Sequence, residues 1–400
     1  MRRTALATAL VSSLALMACS PTTEPAPAPA QTASPTPGAT ATATPGETPT
    51  ADVTPSGFEP REVAVLSNPW AMAFLPGTNQ LLITQKSGEL LLRDQESGAT
   101  ITVEGTPQVV DAGQGGFGDV VPGPTYEQDH TIYLSWVEQG DGGESGAVIG
   151  RARLESAGTT AQLVDLSVIW RQDKTTGNGH FSHRMAFSSD GTHLFVSSGD
   201  RQKMEPAQDL STNLGKILRL NPDGSPADGN PFADRGGVSA EIWSYGHRNP
   251  LGIAFDADGN LWSSEMGPQG GDEINLIVEG RNYGWPRASN GSHYGGGEIP
   301  DHAPGDGFEP PKVWWTPSVS PGSLMIYSGD TFPQWQGDAF VGALSGQALI
   351  RVDLDGTEAT KGDQWDMGQR IRDVAQGPDG SIWVIEDGGN GRLLELAPTV

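Results

Sequence analysis

Two histidines three residues apart stand in the segment Gly179-His180-Phe181-Ser182-His183-Arg184, and an aspartate follows them in Gly199-Asp200. His180 lies just before one apolar run and Asp200 just after the next, so a single hairpin would return the carboxylate to the end of the sheet where the histidines begin. A carboxylate bonded to one imidazole nitrogen fixes the tautomer and makes the other nitrogen a better base. His180 and His183 compete for that role, and a histidine near a strand end is as readily a satisfied structural residue. Charge forms a second pattern. The chain has 24 Lys+Arg against 49 Asp+Glu, yet Arg184, Arg248, Arg370 and Arg372 all fall at strand starts. Guanidinium groups converging on one mouth suit a polyanion, because they pair bidentately with carboxylate or phosphate; salt bridges between repeats are the equal alternative. Third, Gly267-Pro268 lies in a Gly-rich turn flanked by Glu265, Asp272 and Glu273. Calcium takes carboxylate and carbonyl oxygens, which an irregular turn presents; the alternative is a solvated acidic loop.

The elements that must position these residues are short strands. Ala71–Leu75 with Pro76-Gly77 runs into Gln80–Ile83, Met185–Ser189 with Asp190-Gly191 into His193–Val196, Ile253–Ala257 with Asp258-Gly259 into Asn260–Trp262, and Val374–Pro378 with Asp379-Gly380 into Ser381–Val384. Weaker copies begin near Val120 and Met325. Apolar strands joined by Asp-Gly turns are a hairpin signature, and six copies predict an all-β fold, a six-bladed β-propeller with four-stranded antiparallel blades over residues 57–400. A sandwich or barrel has similar strands without this repeat. A propeller gathers its loops at one end of a central channel, where a small-molecule site would form.

Before the repeats, Arg2 and Arg3 precede an apolar run too short to span a bilayer, ending Leu16-Met17-Ala18-Cys19. This predicts an export signal over 1–19. It resembles the lipobox of bacterial lipoproteins, in which the Cys carries lipid, so the expected location is the periplasm or cell surface with a lipid anchor at Cys19. Residues 20–56 are Pro, Thr and Ala, a composition that predicts a disordered tether. The net charge of −25 argues against nucleic acid or an anionic membrane as partner. With 54 Gly and 31 Pro, helical bundles are excluded.

The strings GHFSHR, AQDLSTNLGKILRLNPDG, YGHRNPLGIAF, EMGPQGGDEINLIVEGRNYGWP and RIRDV together resemble the soluble quinoprotein sugar dehydrogenases, the pyrroloquinoline quinone (PQQ) dependent glucose and aldose sugar dehydrogenases, with the aldose enzymes most similar. The similarity runs in order from about Val65 to Leu396. It implies a six-bladed propeller with PQQ and calcium, oxidising aldose sugars at the anomeric carbon to lactones and passing electrons to an external acceptor; the acidic surface would suit a basic cytochrome, with a quinone the equal alternative. By the same resemblance the base is His180, oriented by Asp200, and it takes the anomeric hydroxyl proton while hydride moves to the quinone. Gln114, Arg248, Asn249, Arg370 and Arg372 match cofactor-binding residues. Carbonyls of Gly267 and Pro268 match ligands of the quinone-polarising calcium, Glu273 and the Tyr283 carbonyl match a structural calcium site, and Trp315 matches a sugar-pocket tryptophan. Sugar preference would then depend on the loops around Trp315 and Tyr294.

One position departs from that pattern. In Gly342-Ala343-Leu344-Ser345-Gly346 the family's best-known members carry a cofactor-contacting Lys where this chain has Ser345, which donates a hydrogen bond but no charge. Two other functions share parts of the pattern. A calcium-dependent propeller lactonase would hold its ion with side-chain carboxylates and need no arginine ring, and a non-catalytic lipid-tethered binding propeller would need neither His180 nor Asp200.

Overall fold

The computed structural model describes residues 57–399, so the signal segment, Cys19, the tether and Val400 lie outside the described residues. The fold is all-β with only short helical turns. Each hairpin expected from the repeats is an antiparallel pair. Pro69–Phe74 pairs with Gln80–Gln85, Phe117–Pro122 with Thr131–Gln139, Ser182–Phe187 with Leu194–Ser198, Pro250–Phe255 with Leu261–Glu265, Met325–Ile326 with Ala339–Ala343, and Ile371–Gln376 with Ile382–Glu386. The tight turns are held by their aspartates. Asp190 accepts from the Thr192 amide and hydroxyl, and Asp256 accepts from the amides of Asp258 and Asn260.

The first strands of these hairpins form a ring. Pro69–Phe74 packs on Phe117–Pro122, that strand on Ser182–Phe187, then Pro250–Phe255, Met325–Ile326 and Ile371–Gln376, which returns to Pro69–Phe74. This is the closed arrangement of a β-propeller around a central channel. The ring is locked by the first and last strands of the described residues, because Phe58–Leu66 adds to the last sheet by pairing with Gly391–Pro398. Apolar side chains fill the spaces between sheets, for example Leu82, Phe117 and Trp136 in one and Trp262, Ile274 and Val341 in another.

Four sheets have four strands each, whereas the strands from Pro69 to Arg171 form one sheet of eight. The sequence predicts separate four-stranded units there. They join because the outer edge of Thr160–Arg171, still paired on its other side with Ser145–Ala157, bridges in parallel to Thr100–Glu104, through Val103 to Ala161 and Glu104 to Gln162.

A shift of register recurs near the start of the inner strands, between Pro69 and Ala71, Phe117 and Val120, Ser182 and Met185, Pro250 and Gly252, and Ile371 and Asp373. An extra residue at such a place turns side chains out of the regular alternation. Trp70, His183, Leu251 and Arg372 lie within these shifts, and all four line a single cavity.

Candidate active site

His180 precedes the strand Ser182–Phe187, and Asp200 follows Leu194–Ser198, with Ser182 opposite Ser198. The hairpin therefore brings the two together, and His180 Nδ1 lies 2.6 Å from Asp200 Oδ1. Asp200 is fully buried, but its carboxylate also accepts from Gln202 N at 2.8 Å, Trp285 Nε1 at 2.7 Å and Met204 N at 3.2 Å. Burial alone would raise its pKa; the donors, His180 first, hold it below the usual carboxylate range. An ionised Asp200 keeps the proton on Nδ1 and leaves Nε2 as the basic nitrogen. Burial, with help from the Arg248 charge, lowers the His180 pKa below its ordinary value even though Asp200 raises it, so the imidazole is neutral at pH 7.

The backbone here is strained. His180, Ser182, His183, Arg201, Gln202 and Met204 all have φ between 50° and 64°, a region that non-glycine residues occupy only where their surroundings impose it, at about 1–3 kcal/mol each. Arg201 imposes it. This buried guanidinium donates to the carbonyls of Gly179 (3.0 Å), Gly177 (2.6 Å) and Ser145 (2.5 Å) and stacks on Phe181. Gln114 Oε1 accepts from His180 N at 2.7 Å, fixing His180 from the other side. Gly199 must be glycine, since a Cβ there would lie 2.1 Å from the His180 carbonyl oxygen.

The other histidine is built for packing. His183 stacks on Trp70 with ring centroids 5.1 Å apart, bonds Ser135 Oγ through Nδ1, and is pushed down to a pKa of about 3, chiefly by burial. Arg184 likewise leaves the arginine group. It crosses the channel, pairing with Asp119 at 3.1 Å and Asp373 at 3.0 Å and donating to the carbonyls of Leu251 and Gly322. It ties inner strands together, the salt-bridge alternative raised above.

The cavity at this end of the channel measures about 480 Å³. Trp70, Phe181 and Tyr294 give it aromatic walls, and Lys86, Arg370 and Arg372 line it with Asp387 as the sole acid among the lining residues. Asp387 accepts from Arg370 Nε at 2.8 Å and from Arg372 Nε and Nη2 at 2.9 and 2.7 Å, holding both guanidinium groups side by side. Arg248 lies at the edge, donating to Met266 O at 2.9 Å and to the Tyr294 hydroxyl at 3.3 Å, above the Trp285 ring. Its Nε is buried without a partner. Asn249 Oδ1 accepts from Ser182 Oγ at 3.0 Å, and Glu265 receives the backbone amides of both Arg248 and Asn249. A cation-rich, aromatic-walled space in so acidic a chain suits a planar polyanion.

Beside it lies a second, water-sized cavity of about 10 Å³, lined by Gly267, Pro268, Glu273, Tyr283, Glu265 and Trp285 among others. The resemblance treats Gly267 with Pro268 and Glu273 with Tyr283 as parts of two calcium sites; here all four residues share one cavity wall. Glu273 pairs across the strands with Glu265 and accepts one bond, from Asn275. Burial first, and then the neighbouring Glu265, push its pKa up to about 8. Buried carboxylates around an ion-sized space form an oxygen donor set that fits a hard cation. Asp272 is otherwise engaged, taking Gly267 N, Ser318 Oγ and the amides of Val319 and Ser320.

Trp315 is placed differently from the pocket-lining role that the resemblance implies. It packs with Trp262, Ile274 and Val313 in the core, carries Lys361 over its ring, and does not line the cavity. The register puts it opposite Asp272, on the covered face, and leaves Trp314 exposed. Ser345 bonds Ser320 Oγ at 2.8 Å, so it touches the cavity wall through Ser320. Asp387, Arg201, Trp285, Lys86 and Trp70 carry the site without having been singled out by sequence. Asp387 had a signal: like Asp200 and Glu265, it stands at the end of the second strand of a repeat.

With this geometry in place, known proteins supply a comparison. The family model for glucose / sorbosone dehydrogenase matches residues 66–395. The chain is 41% identical to the aldose sugar dehydrogenase of Escherichia coli over 341 residues, covering 83% of this chain and 91% of that protein. The crystal structure of the soluble E. coli aldose sugar dehydrogenase in its apo-form superposes with a TM-score of 0.81 at 39% identity, covering 86% of this chain and all of the other. The PQQ-bound aldose sugar dehydrogenase of Streptomyces coelicolor superposes with a TM-score of 0.70 at 28% identity, over 86% of this chain and 99% of that one.

Proposed function

Because the chain belongs to the glucose / sorbosone dehydrogenase family, we propose that it oxidises aldose sugars at the anomeric carbon to lactones, using PQQ and calcium, and passes the electrons to an external acceptor. The observation that carries this is the His180–Asp200 pair, 2.6 Å apart, which does not itself line the cation-rich cavity but adjoins its wall through Gln114, Phe181 and Ser182. PQQ, when bound, supplies the electrophilic carbonyl that accepts hydride from the sugar. The protein does the rest. Arg370 and Arg372, fixed by Asp387, together with Arg248 and Asn249, hold the cofactor's anionic edge. His180 takes the proton of the anomeric hydroxyl at Nε2, and Asp200 stabilises the imidazolium that results. Gln114 keeps the base in position, and Trp70, Phe181 and Tyr294 give the space its aromatic walls. Gly267, Pro268, Glu273 and the Tyr283 carbonyl would hold calcium.

The fold reads as six four-stranded blades, the eight-stranded sheet being two blades joined at their outer strands; the unbroken ring of inner strands supports this. We assign Cys19 as a lipid anchor of an exported protein on its sequence context. The test of activity is titration of apo-protein with PQQ and calcium, following dye reduction with a panel of aldoses. Saturable, calcium-dependent turnover is expected. Failure of PQQ to bind favours a tethered binding propeller.

A further inference from the structure

We propose that Lys86 is a further cofactor-binding residue of the cavity, its ammonium pairing with a carboxylate of the bound cofactor. This rests on the PQQ assignment above and adds a contact from a strand end that the sequence motifs do not include.

Four observations carry it. Lys86 lines the large cavity, on the same wall as Gly113 and Gln114. Its position is fixed by the fold: the backbone amide donates to Asn68 O at 2.9 Å, and its carbonyl accepts from Phe117 N at 3.1 Å. The side chain lies across Gly116, where a Cβ would come within 2.6 Å of the Lys86 Cγ. Finally, Nζ makes one hydrogen bond, to Gly113 O at 2.8 Å, and among the described residues no carboxylate forms an ion pair with it. An ammonium has three donors, so two remain for a ligand. Arg370 and Arg372 have their charge partly offset by the Asp387 they share, whereas Lys86 has no such partner.

The position at Ser345 gives the charge a purpose. Ser345 bonds Ser320 Oγ and the Ser318 carbonyl, both neutral. Lys86 therefore supplies from the first repeat a cation that residue 345 does not. A carboxylate is the group that would bind there, because the ammonium is a point charge that also donates to an oxygen acceptor.

Lys86→Gln tests this, since it removes the charge and keeps an N–H donor on a side chain one bond shorter. Binding is read by quenching of intrinsic tryptophan fluorescence on adding PQQ to apo-protein in calcium, with no turnover needed. Lys86→Gln is expected to weaken PQQ about tenfold or more, in line with a charged hydrogen bond, and to flatten the salt dependence of binding. Lys86→Arg is expected to keep near wild-type affinity. Wild-type affinity and salt dependence in Lys86→Gln overturn the proposal while leaving the cofactor assignment intact. Absence of PQQ binding by the wild type overturns both.

Discussion

Asp200→Asn is the substitution that best separates a catalytic pair from a structural one. Asp200 Oδ1 takes His180 Nδ1 and Gln202 N, while Oδ2 takes Trp285 Nε1 and Met204 N. An asparagine must place its NH2 on one side. On the Oδ2 side it would face two fixed donors. On the Oδ1 side it faces only one, Gln202 N, because the imidazole can exchange its proton between nitrogens and turn Nδ1 into an acceptor. The second placement costs less, so Nε2 becomes protonated and the base is disabled. Turnover should fall about 10²- to 10⁴-fold, or about 3 to 5 kcal/mol in barrier, with stability lowered by about 1–3 kcal/mol for the unpaired Gln202 amide. The assay is dye reduction at saturating PQQ and calcium, alongside fluorescence titration of PQQ. A pH profile adds a readout that mere loosening would not move. The wild-type kcat/KM should fall on acidification only below the ordinary histidine range, since burial depresses His180. Losing Asp200, which raises that pKa, should move the residual acid limb lower still. Turnover within about threefold of wild type, with the stability loss present, would refute the reasoning and leave Asp200 a structural residue.

Arg184→Met should cost about 3–5 kcal/mol in chemical denaturation, because it strands Asp119 and Asp373 in the channel; a loss under about 1 kcal/mol would show that the pairs do not hold the ring. Burial raises Asp373 to about 6, so its folded pKa exceeds the unfolded one, and stability is favoured below the ordinary carboxylate range and declines as pH rises through 6. Arg184 restrains that rise, so the penalty of Arg184→Met should shrink from pH 7 to pH 5, and a constant penalty would argue against it. Calcium should raise the melting temperature of the apo-protein, by about 2.7 kcal/mol of stability at a hundredfold excess over Kd, and Glu273→Gln should abolish the increment; an unchanged increment moves the ion elsewhere. Cys19→Ser should abolish palmitate incorporation and release the protein from membranes, and continued labelling would place the lipid on another residue.

The hairpin repeat was legible because turn aspartates and strand alternation act over a few residues, and the meeting of His180 with Asp200 followed from one hairpin's length. What could not be read depends on residues far apart in the chain. His183 looks like a second base until Trp70, from another repeat, stacks on it. Arg184 has the same strand-start position as Arg372, yet its partners Asp119 and Asp373 come from two other inner strands and turn it into a tie across the channel. Asp387 shares its place at a second-strand end with Asp200 and Glu265, but that it organises two arginines shows only in space. The union of two four-stranded units arose from two parallel bridges between outer strands far apart in the chain, which no local rule predicts. Trp315 shows the reverse hazard: adjacent tryptophans 314 and 315 face opposite ways in a strand, and only the pairing with Asp272 decides which is buried.

The site's two halves meet at one side chain. Trp285 donates its indole N–H to Asp200, lies beneath Arg248, and forms part of the wall of the ion-sized cavity with Glu273 and Tyr283. Its backbone amide is held by Gly246 O and its carbonyl by Gln208 Nε2. Any shift of the 283–285 segment that alters the oxygen cage must therefore also move the donor that keeps Asp200 ionised. A cation in that cage would draw the Tyr283 carbonyl and Glu273 together, and the rigid indole, two residues on, would transmit the restraint to the base. Calcium binding and the acid limb of the pH profile are coupled on this account, with Trp285→Phe as the decisive variant. It keeps the ring under Arg248 but removes the donor to Asp200, so it should raise the Asp200 pKa and lower turnover while leaving calcium stabilisation largely in place. Loss of calcium stabilisation without an effect on turnover would show that Trp285 serves the cage alone.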